Sequence, residues 1–177
     1  TIDENLYKTI FAIVHSFVRP IKTEVFSIKW EDLEIIDKPD HKTIQTRIKD
    51  GKTGFRYTSS TKMFMEYVKK LQKGGGGEYF IYPENENRSY VANVIQRQFS
   101  YVLKQLDLQF DDYKQKRSLY SLRHLGIQMR LLISGGKVNI YFLARNCGTS
   151  VEMIERFYAK YLPNSSEITK NLQSFSD

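Results

Sequence analysis

Leu33-Glu34-Ile35-Ile36-Asp37-Lys38-Pro39-Asp40-His41-Lys42-Thr43-Ile44-Gln45-Thr46-Arg47-Ile48-Lys49-Asp50-Gly51-Lys52-Thr53-Gly54-Phe55-Arg56-Tyr57-Thr58 carries the strand signal of this chain. Leu33, Ile35 and Ile36 predict a first strand that stops at Pro39. Thr43 to Ile48 alternates and is rich in β-branched residues, as a half-buried strand is. Asp50-Gly51-Lys52-Thr53-Gly54 supplies turn chemistry, and Phe55 to Thr58 returns as a partner. The stretch therefore predicts a small antiparallel sheet near residues 33–58.

On either side the apolar spacing changes to three and four residues, the period of a helix. Leu6, Ile10, Ile13, Val14 and Phe17 predict a first helix over Asn5 to Phe17, ending near Pro20. Val25, Phe26, Ile28 and Trp30 form a short apolar helix or turn. Beyond the sheet, Ser60 can cap a helix over Thr61 to Leu71, closed by a surface loop at Gly74 to Gly77. Tyr79 to Pro83 is a short apolar run, and Val91 to Leu106 has helical spacing. Further helices are predicted over Leu119 to Ile133, Val138 to Arg145 and Val151 to Tyr161, the last capped by Ser150. Ile168, Leu172 and Phe175 give the tail a short amphipathic stripe that needs a surface to cover it. The expectation is an α+β fold: a mainly helical single domain over residues 1–177, with a basic pocket between the sheet and the later helices.

The chain has 177 residues and a net charge of +7. Residues 31–40 are acidic, whereas 42–73 hold nine basic side chains against two acidic ones, an excess equal to that of the whole chain. Concentrated positive charge fits a phosphate-rich partner or a solvated basic face. A single cysteine, Cys147, excludes an internal disulfide framework and any CxxC metal or redox motif, and points to a reducing, cytoplasmic setting. No apolar run reaches the roughly 18 residues of a membrane span, and no signal-peptide pattern opens the chain.

Taken singly, the chemically interesting residues have plain readings. Arg19 stands at the end of a hydrophobic helix, where a salt bridge with Glu24 would satisfy it. Arg123 lies among Leu122 and Leu125, where an unpaired charge is costly. Lys52 belongs to a turn, and Tyr158 packs beside Phe157 and Tyr161.

Their order along the chain adds to this. Phe17-Val18-Arg19-Pro20 with Glu24 and Ile28-Lys29-Trp30-Glu31-Asp32-Leu33, then Lys52-Thr53-Gly54-Phe55-Arg56, then Ser121-Leu122-Arg123-His124, then Gly148 to Tyr158 together resemble the catalytic domain of the tyrosine recombinase (phage integrase) family, over nearly the whole chain. The resemblance implies a site-specific recombinase that cleaves and rejoins double-stranded DNA through a 3′-phosphotyrosyl link. It implies Tyr158 as nucleophile, Arg19 and Arg123 as a phosphate clamp, Lys52 as the acid for the departing 5′ oxygen and Glu24 as support. Two bidentate guanidiniums suit the growing charge of a phosphodiester under attack, and the covalent link conserves the bond without a metal, ATP or other cofactor.

Three departures accompany the match. Tyr120 stands where the family has histidine, Thr149 where it has histidine or tryptophan, and Arg19 and Glu24 are five residues apart rather than three. His124 falls on the same helical side as Tyr120 and Arg123 and can serve the same pocket or bond a backbone carbonyl. The resemblance also implies a DNA-clamping N-terminal domain outside this chain, and a homo-oligomer, a tetramer on DNA, joined through the tail at 162–177; the tail can equally fold back on its own domain. The competing readings are a catalytically impaired DNA-binding module of the same fold, a type IB topoisomerase-like enzyme, and a generic basic domain that binds RNA or an acidic protein.

Overall fold

The computed structural model describes residues 3–72, 77–135, 137–157 and 166–173. Strands β1 (Leu33–Asp37), β2 (Lys42–Gly51) and β3 (Gly54–Ser59) form one antiparallel sheet in the order β1-β2-β3. Ile35 pairs with Ile44 across the first interface and Arg47 with Tyr57 across the second. In β2, Ile44, Thr46 and Ile48 are buried at alternate positions, so one face of the pleat meets the core. The turn is tighter than the Asp50–Gly54 composition suggests. Gly51 pairs with Gly54, leaving Lys52-Thr53 at the tip, and the register is irregular between Ile48 and Gly51. A bulge of this kind adds local twist and re-aims the hairpin.

The helices are α1 (Glu4–Ser16), α2 (Lys62–Gln72), α3 (Arg88–Gln105), α4 (Leu119–Ile133), α5 (Ile140–Cys147), α6 (Val151–Phe157) and α7 (Ser166–Leu172), with α2 packed on β2 and α5 on β3. Phe64, Met65 and Val68 of α2 join β2 and α1 in the larger core, together with Phe26, Phe80 and the α3 residues Val91, Ile95 and Phe99. A second cluster, Phe17, Ile127, Leu131, Leu143, Ala144, Cys147 and Ile154, ties α4, α5 and α6 to the end of α1. α1 is thus packed on two sides. Leu6, Ile13 and Phe17 are buried as the spacing predicts, while Ile10 and Val14 are half-buried and Lys8, Thr9, Ala12 and Ser16 widen the buried face.

Other sequence expectations are corrected in detail. Ser60 does not cap α2: its hydroxyl accepts the Ile44 amide at 2.8 Å and closes the sheet, while the Thr61 carbonyl accepts the Phe64 and Met65 amides. α5 begins two residues later than Val138 because Asn139, a better cap, accepts the Phe142 amide at 3.1 Å. Ser150 does cap α6, accepting the Met153 amide at 3.2 Å. α6 is described through Phe157, so the stretch of the predicted helix from Tyr158 to Tyr161 lies outside the described residues, as do Gly74 to Gly76 and Phe175. No helix among the described residues is long and apolar enough to cross a membrane.

Candidate active site

The site begins where α1 ends. Phe17 adopts a left-handed φ of 58°, a conformation that costs a bulky L-residue about 1–3 kcal/mol. The Phe17 carbonyl accepts a bond from Nη1 of Arg123, one turn into α4. Val18 is fully buried and Arg19 nearly so, which places a guanidinium inside the protein and demands partners. The chain loops through 20–23 and returns Glu24 to it: Glu24 Oε1 accepts Arg19 Nη1 at 2.8 Å, and Oε2 accepts the Arg19 amide at 2.9 Å. The five-residue spacing is accommodated by this loop, closed by the Val25 amide on the Arg19 carbonyl at 3.2 Å.

The second support is the turn between α5 and α6. Gly148 ends α5 with a φ of 63°, the left-handed stop that glycine favours. Nη2 of Arg19 donates to the Gly148 carbonyl and Nη2 of Arg123 to the Cys147 carbonyl. Two consecutive carbonyls of one turn therefore hold both guanidiniums, although the arginines are 104 positions apart in sequence.

Glu24 is 1% exposed and is the hub of the site. Besides Arg19, its oxygens accept Nη1 and Nη2 of Arg56 at 3.1 and 2.9 Å and the Lys52 amide at 3.3 Å. Burial opposes its ionisation, but the Arg56 and Arg19 hydrogen bonds prevail and hold its pKa at about 2. Sequence reasoning missed the part played by Arg56. Strand alternation could have found it, because a buried Thr58 puts Arg56 on the inward face of β3 while Phe55 and Tyr57 point to solvent.

Arg19, Lys52, Tyr120, Arg123, His124 and Thr149 line a single cleft of about 760 Å³, together with Thr53, Gly148, Ser150 and Met153. Lys52 reaches it from the hairpin tip and Thr149 from the α5–α6 turn. α4 presents Tyr120, Arg123 and His124 on one side, held at its start by Ser118, whose hydroxyl accepts the Tyr120 amide at 3.2 Å. The Tyr120 and His124 rings lie 6.2 Å apart. Burial, then the Arg123 charge, pushes the His124 pKa below its ordinary value, so the imidazole is neutral at pH 7. Burial also raises the Cys147 thiol to about 11, which makes it inert as a nucleophile. Tyr158 lies outside the described residues; α6, which leads to it, is anchored by the buried Ile154.

A cleft walled by two fixed guanidiniums and a lysine can bind an anion and stabilise charge that builds on it. Among the described residues no group of three or more His, Cys, Asp and Glu side chains is placed to hold a metal ion. No family model, curated protein or solved structure matches the chain.

Proposed function

We propose that this chain cleaves and rejoins double-stranded DNA as a tyrosine recombinase does, by transfer of a phosphoryl group to Tyr158. The observation that carries the reading is the convergence of Arg19, Lys52, Arg123, Tyr120, His124 and Thr149 on one cleft. Arg19 and Arg123 bind the non-bridging oxygens of the scissile phosphate and stabilise the charge that grows there. The tyrosine oxygen attacks phosphorus, the bond to the 5′ oxygen breaks, and Lys52 gives that oxygen a proton. Neutral His124 takes the tyrosine proton, a role for which Tyr120 is poorly suited near neutrality. Thr149 donates a hydroxyl hydrogen bond to the phosphate, and Glu24 keeps Arg19 in place.

The partner is duplex DNA, and the resemblance implies a homo-oligomer on it, with the tail at 162–177 either joining protomers or folding back on its own domain. The substitutions at Tyr120 and Thr149 favour one second reading, a binding module that keeps the phosphate pocket and has lost turnover. Incubation with a nicked suicide duplex separates the two on a denaturing gel. A covalent protein–DNA adduct that disappears in Tyr158→Phe is expected. No adduct from the unmodified chain would leave the binding module, and an adduct surviving in Tyr158→Phe would assign the attack to another residue.

A further inference from the structure

We infer that Arg56 is a positioning residue that sets the Lys52 turn through Glu24; the inference rests on the strand-cleavage reading above. Arg56 follows Lys52 by four residues and lies at the base of the same hairpin, its side chain turned inward from β3. Its two terminal nitrogens each take one oxygen of Glu24. A carboxylate offers about four lone-pair directions, and Glu24 uses them on Arg56, on Arg19 and on the Lys52 amide. The Lys52 amide bond, at 3.3 Å, is the longest of the five. Among the described residues, the hairpin is otherwise held by the Gly51–Gly54 pairing and by Arg56 itself, whose Nη1 would lie 2.8 Å from a β-carbon at Gly51. Lys52 and Thr53 are exposed, and a β-carbon added to Gly54 would meet nothing within 4 Å.

Arg19 is differently placed, since the Gly148 carbonyl gives it a second anchor. Gly148 also leaves the space that Arg56 fills, because a β-carbon there would lie 2.8 Å from Arg56 Nε. Loss of the Arg56 guanidinium therefore frees the carboxylate on the hairpin side and loosens Lys52 more than Arg19. Its chemical effect falls on delivery of a proton to the leaving oxygen rather than on the binding of phosphate.

A substrate that needs no proton on its leaving group isolates that effect. In a duplex with sulfur at the bridging 5′ position, attack by the tyrosine oxygen breaks the P–S bond and the electron pair departs on sulfur as a thiolate, which is far less basic than an alkoxide. The full chain, Arg56→Gln, Arg56→Lys and Lys52→Ala are compared on oxygen- and sulfur-bridged suicide duplexes. Arg56→Gln is expected to slow adduct formation on the oxygen duplex by about 100-fold and to recover most of that loss on the sulfur duplex, as Lys52→Ala does, with Arg56→Lys between it and the unmodified chain. Equal slowing on both duplexes overturns the inference, because it marks a general loss of the site. Hydrogen exchange at the Lys52 amide gives a readout independent of cleavage: faster exchange at the hairpin tip in Arg56→Lys, with α4 unchanged, is expected, and unchanged protection of that amide overturns the inference. An unmodified chain that forms no adduct with either duplex defeats the strand-cleavage reading itself.

Discussion

At Glu24 an enclosed carboxylate stays ionised because five N–H donors from Arg19, Lys52 and Arg56 surround it. Breaking a buried pair from one side leaves uncompensated charge, so Glu24→Gln is expected to destabilise the fold by about 3–5 kcal/mol in urea denaturation; a loss below 1 kcal/mol would mean the arginines find other acceptors. The acid behaviour follows from the same residue. Its pKa is about 2 when folded against an ordinary 4.5, so the unfolded chain binds the proton more readily between those values. The stability Glu24 contributes is full above pH 4.5 and is lost as pH falls toward 2. A pH series of unfolding free energies should show this slope in the unmodified chain and a flatter one in Glu24→Gln. Gly148 meets Arg56 across the site, and Gly148→Ala combines a strained φ with a 2.8 Å approach to Nε. A loss of about 1–3 kcal/mol is expected by thermal unfolding, with a fall in any DNA affinity as the two arginine acceptors shift.

Between elements, α1 and α4 approach so closely that a β-carbon at Gly126 would lie 2.5 Å from the Val14 carbonyl oxygen. Backbone cannot move aside as a side-chain tip can, so Gly126→Ala should cost about 1–3 kcal/mol, read as a lower urea midpoint; an unchanged midpoint would show that the helices can separate freely. α5 is pinned to β3 by Asn146, whose side chain bonds the Ser59 amide at 2.6 Å and the Ser59 carbonyl at 3.0 Å. Much of the element order is legible in the sequence because period-two and helical spacings are local properties of the chain: β2, α4 and the Ser150 cap of α6 lie where the pattern puts them. The face of α1 is legible only in part, at Leu6, Ile13 and Phe17, because the rest of its burial depends on α2, α3 and α4, which are remote in sequence. Ser60 was misread for a similar reason, its hydroxyl being taken by Ile44 of the sheet.

For the molecule as a whole, the proposed binding of duplex DNA in a basic cleft makes affinity an ionic matter. Anisotropy titrations should give a dissociation constant that rises steeply with salt, by about tenfold or more between 50 and 200 mM. Affinity insensitive to salt would contradict phosphate contact by Arg19, Lys52 and Arg123; within the basic stretch 42–73, Lys42, Arg47, Lys49, Arg56, Lys62 and Lys69 already face acidic partners. Lys52→Ala should leave that slope nearly unaltered, since one contact among several changes it by roughly one counterion.

The candidate site divides along the same line. Residue types and their order are written in the chain, so alternation predicts the sheet, and a family resemblance implies places in the site for Arg19, Lys52, Arg123 and Thr149. Their convergence is a different kind of fact. It depends on a left-handed turn at Phe17, on two carbonyls of the α5–α6 turn and on one carboxylate shared by Arg19, Arg56 and the hairpin. Those contacts join residues from 5 to 129 positions apart. Spacing along a chain reports only what neighbouring residues can do, whereas hydrogen bonds of this kind form when packing has removed water from both partners.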